Sequence, residues 1–162
     1  MNISYIVPAY NCSSTIIESL DSIKINFEFG DEIVVVNDAS NDNTYDVIND
    51  WIQVNQQVDI KLISHPLNLG GGAARNTAVV NTKNDLIFCL DSDNILLPNS
   101  VSRLKSFLIQ NNFDIVCFQR ISYFIDSNTK DITHEWNFNF SKYDIIFLRF
   151  FCFRLFNTNT FF

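Results

Sequence analysis

The chain has 162 residues, which is enough for one compact unit with a hydrophobic core but not for two full domains. Its 47% hydrophobic and 18% charged residues exclude intrinsic disorder. A net charge of −7, without a cluster of Lys and Arg, excludes a protein that binds nucleic acid through the phosphate backbone.

Short apolar runs alternate with helical patterns along the first part of the chain. Residues 3–7 form a β-branched run that ends at Pro8 and predicts a strand. Thr15 and Glu18 form a capping-box pattern before a helix whose apolar residues are Ile16, Leu20, Ile23 and Phe27. Residues 32–37 are apolar without alternation, as expected of a strand buried on both faces of a parallel sheet.

The same alternation continues to a helix that Pro98 is expected to open. A second helix is predicted from the apolar residues Val47, Ile48 and Trp51. Residues 60–64 predict a third strand, and residues 71–80 predict a helix of small side chains. Residues 85–90 predict a fourth strand, followed by a helix whose inward-facing residues are Val101, Leu104, Phe107 and Leu108. This order predicts an α/β fold with a mainly parallel sheet flanked by helices.

The pattern changes beyond Phe113. Residues 114–118 and 121–125 predict strands, and the polar residues 126–130 suggest a hairpin turn. Residues 144–162, called the aromatic tail below, are rich in Phe. The tail is a candidate for contact with a membrane surface or with a second copy of the chain, and packing into the core is an equal alternative.

The four cysteines form no CxxC pair and lie far apart in the sequence, mostly in apolar runs; they are Cys12, Cys89, Cys117 and Cys152. This spacing predicts buried free thiols in a reducing compartment. The start of the chain has no signal-peptide pattern, and no run approaches the about 18 apolar residues of a membrane helix. The expected location is the cytoplasm, with peripheral contact at the inner face of the membrane open to the aromatic tail.

Polar or flexible residues follow each predicted strand, at 8–11, 37–40, 68–76 and 91–93. Ligands of open α/β sheets bind outside the carboxyl ends of the strands. The sequence therefore predicts that these four stretches converge on one edge of the sheet and form a site there.

Asp91 and Asp93 end a buried strand, where alternate side chains can point the same way. Mg²⁺ and Mn²⁺ take oxygen ligands from one or two carboxylates together with substrate phosphates. A polar turn that caps the next segment is the alternative, and the position directly after a strand favours the metal site.

Asp38 and Tyr10 are candidates for contact with a nucleotide base. The Asp38 carboxylate could accept a hydrogen bond from the N–H edge of a base, and an Asx turn is an equal alternative. The Tyr10 ring could stack on a base, although a half-buried aromatic residue is as common. Pro8 and Ala9 would shape the same wall.

The glycine run at 70–72 permits close approach of the backbone to a ligand before a helix N-terminus, with a flexible turn as the alternative. Arg75 is placed to pair with a carboxylate or a diphosphate, and a structural ion pair is equally expected. The run matches neither a dinucleotide fingerprint nor a P-loop. His65 and His134 have no metal-ligand spacing and are interpreted as ordinary polar residues.

Four motifs together resemble the family 2 glycosyltransferases in order and spacing. They are Val7-Pro8-Ala9-Tyr10-Asn11, the stretch 36–44, Asn68-Leu69-Gly70 with Ala74-Arg75-Asn76, and Leu90-Asp91-Ser92-Asp93. The resemblance covers roughly residues 3–118. It implies the GT-A fold of nucleotide-diphospho-sugar transferases and a place in cell-surface polysaccharide biosynthesis.

The resemblance also implies roles for individual residues. A base pocket, commonly for uridine, would be lined by Pro8, Ala9, Tyr10 and Asp38. Arg75 would help to position the nucleotide, and Asp91 would reach the ribose or the metal. Asp93 would be the principal protein ligand of a Mn²⁺ or Mg²⁺ ion that bridges the diphosphate of the donor, commonly a UDP-sugar.

Members of the resembled family invert the anomeric centre and use a carboxylate base in a later acceptor region. The acidic residues Asp126, Asp131 and Glu135 match no family motif, so no catalytic base is assigned. The expected organisation is a nucleotide-sugar-binding domain at 1–118 and a partial acceptor-side region at 119–162, in a chain that ends early.

Three functions remain open at this stage. The first is transfer of a sugar to a glycan, lipid or protein acceptor. The second is a catalytically incomplete remnant that binds donor and metal without transfer. The third is an interaction module that docks through the aromatic tail.

Overall fold

The computed structural model describes residues 1–110 in full and, beyond them, the backbone of residues 115–116, 120–124, 130–135 and 152–154. The first four strands are β1 (Ile3–Ala9), β2 (Glu32–Asn37), β3 (Ile60–Ser64) and β4 (Leu86–Cys89). The helices are α1 (Ile16–Asn26), α2 (Thr44–Val54), α3 (Gly71–Val80) and α4 (Ser100–Gln110). The later strands are β5 (Ile115–Val116), β6 (Arg120–Phe124), β7 (Lys130–Glu135) and β8 (Cys152–Arg154).

The main sheet has the strand order β3-β2-β1-β4-β8-β5. β1 pairs in parallel with β2 and β4, and β2 pairs in parallel with β3. In this register Asn37 lies opposite Ala9 on one side and opposite Ser64 on the other. The predicted mainly parallel α/β sheet is therefore confirmed.

The strands beyond residue 110 pair in antiparallel fashion. β8 lies between β4 and β5, although no strand was predicted within the aromatic tail. β6 pairs with β7, which confirms the hairpin predicted around residues 126–130.

Alternate residues of the central strands enter two hydrophobic cores, one on each face of the sheet. On one face, Tyr5 and Val7 of β1 pack with residues of α1, α2 and α4. On the other face, Ile6 packs with Ala74 and Ala78 of α3, and both alanines are fully buried. Every residue of β2 is buried, as predicted for a strand covered on both sides.

Pro8 lies within β1, which continues to Ala9 beyond the predicted end of the strand. The Leu90 N–H donates to the Ile6 carbonyl oxygen at 3.0 Å, so Ile6, and with it Pro8 two residues later, faces the β4 side. The pairing with β4 ends at Ile6 and Cys89. The missing N–H of Pro8 therefore interrupts no ladder bond, which is why the strand tolerates this proline.

The predicted capping box at the start of α1 is wrong. Thr15 has helical dihedral angles, φ −119° and ψ −29°, and makes no side-chain capping bond. Its hydroxyl instead donates to the Cys12 carbonyl oxygen at 3.3 Å. The helix itself begins at Ile16 as predicted.

The predicted inward face of α4 is correct for three of its four residues. Val101, Leu104 and Leu108 are buried, whereas Phe107 is 46% exposed. The helix begins at Ser100, two residues after Pro98, which lies in the loop that leads into the helix.

A buried ion pair ties α4 to the amino-terminal edge of the sheet. Lys105 is 7% exposed in its side chain, and its Nζ donates to both Asp31 oxygens at 3.1 Å and to Glu28 at 2.8 Å. The Asp31 side chain is 0% exposed and also accepts hydrogen bonds from the backbone N–H groups of Ile3 and Glu28. Every lone pair of this buried charge thus faces a donor or the lysine.

Several sequence-based expectations lie outside the described residues or can be reported only in part. Cys12 and Cys89 are buried free thiols as predicted, whereas the side chains of Cys117 and Cys152 are not described. In the part of the chain that the structure describes, none of the helices is long and apolar enough to cross a bilayer. Contacts of the aromatic tail, and the side chains of His134 and of the acidic candidates at 126, 131 and 135, lie outside the described residues.

Replacing Lys105 by Met should lower the free energy of unfolding by about 3 kcal/mol, because Asp31 would stay buried without its cation. Urea denaturation at neutral pH measures this change. The matched control is Lys83→Met, which removes an ion pair with Asp59 whose partners are 43% and 52% exposed. That change should cost less than about 0.5 kcal/mol. Equal losses in the two variants would contradict the buried-pair argument.

Candidate functional site

Four loops leave the carboxyl ends of the parallel strands at the same edge of the sheet. We call residues 10–15 the first loop, 38–43 the second, 65–70 the third and 90–99 the fourth. Backbone bonds extend the sheet into them: Asp38 N–H donates to Ala9 (2.8 Å) and His65 N–H donates to Asn37 (2.9 Å). The predicted convergence of polar residues on one edge is therefore built into the strand register.

The first loop is joined to the second loop, and to Thr44 at the start of α2, by four hydrogen bonds of 2.8 to 3.1 Å. The bonds run from Asn11 N to Ser40 Oγ, from Asn41 N to Asn11 Oδ1, from Ser13 N to Asp42 Oδ2 and from Cys12 N to Thr44 Oγ1. Asp42 also accepts bonds from the Thr44 hydroxyl and N–H at the start of α2. The bond from the Thr44 hydroxyl lowers the pKa of Asp42 most, and the bonds from Ser13 lower it too. Burial raises the pKa by less, so the pKa of Asp42 lies well below its usual range.

Two residues of these joined loops have left-handed backbone conformations. Asn11 has φ 48° and Ala39 has φ 55°. Asn tolerates this region because its short polar side chain can bond locally, but Ala does not. Ala39 therefore holds some strain, and the cross-loop hydrogen bonds beside it stabilise this conformation.

The Asp38 carboxylate anchors the third loop. It is 2% exposed, and it accepts bonds from Leu69 N at Oδ1 (2.9 Å) and from Gly70 N at Oδ2 (2.7 Å). His65 Nδ1 lies 2.6 Å from Oδ1. Burial raises the pKa of Asp38, but the bonds from Leu69, His65 and Gly70 together lower it by more. The pKa of Asp38 therefore lies below its ordinary value. The carboxylate is ionised at neutral pH.

Asp38 does not make the Asx turn that was the alternative for it, and the local side-chain bonds at this point are made by its neighbour Asn37. Asn37 Oδ1 accepts hydrogen bonds from the Ser40 N–H at 3.2 Å and from the Ser40 hydroxyl at 2.6 Å. The side chain of Asp38 is thereby left to the third loop.

His65 is a member of the site that the sequence did not reveal. Its ring joins Asp38 through Nδ1 and the Thr77 hydroxyl through Nε2, the latter at 2.8 Å. The side chain is only 8% exposed. These partners lie 27 and 12 residues away in sequence, so no local pattern marks the residue.

Arg75 and Asp91 form an ion pair between α3 and the fourth loop. The side chains are 37% and 20% exposed, so both reach the surface of the site. Arg75 also lies against Gly71, where an added Cβ would stand 3.0 Å from the guanidinium. Burial lowers the pKa of Arg75, but the charge and hydrogen bond of Asp91, together with the contact to Cys89, raise it by more. Of the two partners predicted for Arg75, the structure shows the carboxylate.

Asp93 is the more available of the two carboxylates in the predicted metal motif. It is exposed, and its only hydrogen bond among the described residues comes from the neighbouring Asn94 amide at 3.2 Å. Residues 1–110 contain no group of three or more His, Cys, Asp or Glu side chains that could hold a metal by themselves. One free carboxylate fits a Mg²⁺-type ion that takes its other ligands from phosphates and water.

The predicted base wall is only partly open to solvent. Tyr10 is 45% exposed, Pro8 is half-buried, and Ala9 is 1% exposed because its side chain enters the core. Two further apolar side chains of the third loop are exposed beside Asp38, namely Leu67 at 57% and Leu69 at 53%. Gly70 and Gly72 have open space where a Cβ would stand.

Comparison of sequences connects the chain with sugar transferases. The profile described as Glycosyl transferase family 2 matches residues 4–161. The chain is 34% identical over 119 residues to the poly(ribitol-phosphate) beta-glucosyltransferase of Bacillus spizizenii, covering 71% of this chain and 18% of that protein. It is 31% identical over 114 residues to the UDP-Glc:alpha-D-GlcNAc-diphosphoundecaprenol beta-1,3-glucosyltransferase of Escherichia coli, covering 70% and 44%. The chain thus spans less than half the length of these relatives.

Solved structures of sugar transferases share the fold. TarS of S. aureus, solved with UDP-GlcNAc, has a TM-score of 0.65 at 27% identity over 71% of this chain and 33% of its own. The mannosyltransferase PcManGT of Pyrobaculum calidifontis, solved with GDP-Man and Mn²⁺, has a TM-score of 0.68 at 24% identity over 73% and 35%. These similarities confirm the expected GT-A fold.

Replacing Ala39 by Gly should raise the free energy of unfolding by about 0.5 to 1 kcal/mol. Gly adopts φ 55° without strain, and this gain exceeds the added entropy of the unfolded chain. Urea denaturation measures the change. The control is Ala73→Gly inside α3, where φ is negative and Gly should cost about 1 kcal/mol. A loss at both positions would contradict the strain at Ala39.

Replacing Asp38 by Asn should destabilise the chain by about 2 kcal/mol at pH 7, because the amide NH₂ cannot accept the loop N–H bonds. The folded-state pKa of Asp38 lies below the ordinary 3.8. Its contribution is therefore present above about pH 4 and lost as the pH falls through the folded-state pKa. Thermal unfolding between pH 7 and pH 3 should show the two proteins converging. A constant difference would contradict the ionised carboxylate.

Proposed function

The chain belongs to glycosyl transferase family 2, and on that premise we propose that it binds a nucleotide-diphospho-sugar donor at the carboxyl edge of its sheet. The donor is a UDP-sugar, and the acceptor is a glycan, a lipid or a protein. Residues 1–118 form the donor-binding part of this proposal, and residues 119–162 belong to the acceptor side.

The observation that carries the proposal is the continuous set of contacts along the loop edge. The first loop is bonded to the second, Asp38 holds the third, and Arg75 of α3 meets Asp91 of the fourth. Along this edge, the base, the ribose and the diphosphate of an extended ligand could each contact a different group of side chains. Ligands of open α/β sheets bind at this edge.

In the proposed complex, the base lies against the first and second loops. Tyr10 offers its exposed ring for stacking, and Pro8 flanks it. Ala9 supports the wall from beneath, since its side chain is buried in the core. Asp38 accepts a hydrogen bond from the N–H edge of the base.

The ribose and diphosphate lie toward α3 and the fourth loop. Arg75 is charged and partly exposed beside Asp91, so its free N–H groups can meet phosphate oxygens. Asp91 then accepts from a ribose hydroxyl or shares the metal. Asp93 binds the Mn²⁺ or Mg²⁺ ion, since its carboxylate has little else to bond among the described residues. The bound cation would stabilise, as a Lewis acid, the charge that grows on the diphosphate as the sugar leaves.

The choice of UDP rests on two proteins that are similar to this chain in sequence. TarS was solved with UDP-GlcNAc, and the Escherichia coli relative is named as a UDP-Glc-dependent glucosyltransferase. PcManGT, whose likeness bears on the fold alone, was solved with GDP-Man and Mn²⁺. Transfer would proceed with inversion at the anomeric centre, with a carboxylate base that we do not assign.

Calorimetric titration of UDP into the chain, with and without Mn²⁺, tests binding separately from turnover. We expect Mn²⁺ to tighten UDP binding by about tenfold or more, which corresponds to about 1.4 kcal/mol. Asp93→Ala should remove this metal effect because its carboxylate would no longer hold the cation.

The matched control is Asp50→Ala, which removes an exposed carboxylate from α2. It should leave both titrations unchanged. Absence of UDP binding in a folded sample would overturn the proposed donor site. A metal effect that survives in Asp93→Ala would overturn the role of Asp93 alone.

A further inference from the structure

His65 joins two parts of the proposed donor site while both of its ring nitrogens are occupied. Nδ1 lies 2.6 Å from Asp38 Oδ1, and Nε2 lies 2.8 Å from the Thr77 hydroxyl. With 8% of its side chain exposed, the ring has no free polar atom to offer a ligand. Any effect of His65 on the donor must therefore pass through Asp38 or through α3.

The direction of the bond to Asp38 follows from the charge of the carboxylate. Because the pKa of Asp38 is lowered, the group is ionised at neutral pH and can only accept. His65 Nδ1 therefore carries the hydrogen and donates it. Thr77 can either donate to Nε2 or accept from it, so the second bond persists in either ring state.

The acceptor capacity of Asp38 is nearly filled. An ionised carboxylate has about four lone-pair positions. His65 and Leu69 N–H occupy Oδ1, and Gly70 N–H occupies one position of Oδ2. One acceptor position remains, on Oδ2. Since the residue is only 2% exposed, a small rotation of the carboxylate would close that position to a ligand.

We propose that His65 is a positioning residue for base selection: it fixes the Asp38 carboxylate so that its last acceptor position faces the N–H edge of the donor base. Thr77 completes the arrangement by holding the far side of the ring. This inference rests on the proposed function, because it requires that Asp38 contact the base.

The proposal has a chemical consequence for nucleotide choice. Uracil carries a hydrogen at N3 and donates there, whereas N3 of cytosine carries none and accepts. A fixed, ionised carboxylate therefore favours UDP over CDP, and a rotated one loses the preference. A residue that only stabilised the loop would weaken both nucleotides equally.

The third loop keeps its other anchors when the His65 ring is removed. The backbone N–H of His65 still bonds to Asn37, and Leu69 and Gly70 still donate to Asp38. A ring variant therefore changes only the two side-chain contacts of His65, those to Asp38 and to Thr77.

The test is calorimetric titration of UDP and of CDP, each with Mn²⁺, into the wild-type chain and its variants. The wild type should prefer UDP by about tenfold or more. His65→Leu should reduce this preference to about twofold through loss of UDP affinity, with CDP affinity nearly unchanged. His65→Asn keeps an N–H near Asp38 and should retain most of the preference.

Thr77 supplies a second pair of variants that disturbs packing little. Thr77→Val removes the hydroxyl and should lower the preference by about threefold, whereas Thr77→Ser restores the hydroxyl and should restore the preference. Circular dichroism and thermal unfolding establish that each variant is folded. If His65→Leu does not fold, the nucleotide preferences of the two Thr77 variants and of His65→Asn test the proposal.

The outcomes separate this inference from the proposed function. A folded wild type that does not bind UDP overturns both. A wild type that binds UDP and CDP equally, or variants in which the two affinities fall together or not at all, overturns the role of His65 and leaves the donor site standing.

Discussion

The register of the parallel strands is the constraint on which the loop edge depends. Asn37 stands opposite both Ala9 and Ser64, so three consecutive loops begin at one level of the sheet. The second and third loops each donate their first backbone N–H to the last residue of the neighbouring strand, Asp38 to Ala9 and His65 to Asn37. β2 can hold this central place because it is buried on both faces. A slip of one residue would turn its apolar side chains to the wrong core and carry Asp38 away from the third loop.

The chain carries a net charge of −7, yet its buried carboxylates are each matched by specific donors. At the amino edge, Glu32 is fully buried and accepts bonds from the Ser4 hydroxyl, the Lys83 N–H and the Lys61 ammonium. Burial raises the pKa of Glu32, and these three donors together lower it by more. At the carboxyl edge, Asp38 takes N–H groups and Asp91 takes Arg75. Asp93, among the described residues, has only the weak bond from its neighbour. An acidic protein that supplies donors to its other site carboxylates and leaves one with a single weak bond is suited to share a cation with an anionic ligand.

The sequence predicts the strands and helices better than the contacts within the site. The apolar pattern of a strand or helix lies within a few consecutive residues, whereas the side chains that contact each other in the site are far apart in sequence. β3 and α3 have the predicted bounds, since each is a run of one pattern flanked by loop residues. The motifs also place Asp38 and Arg75 at the right edge of the sheet. The contacts of His65 were not predicted because its partners come from the second loop and from α3, which only the fold brings together. The predicted capping box is wrong for a related reason. The Thr15 hydroxyl donates to the Cys12 carbonyl oxygen, an acceptor outside the capping-box pattern.

The two sides of the proposed site differ in how much of their order exists before a ligand binds. On the base side, cross-loop bonds hold Asn11 and Ala39 in left-handed conformations, so this wall is already fixed in the free chain. Fixed loops lose little conformational entropy on binding, and the free energy of their contacts is retained as affinity and selectivity. On the phosphate side, the exposed Asp93 accepts only one weak bond among the described residues, and the partly exposed Arg75 contacts Asp91 and Cys89. In the proposed function, that side would gain its remaining bonds only when phosphate and cation bind together. The proposed donor site would therefore combine a base wall that is ordered in advance with a phosphate side that the ligand completes.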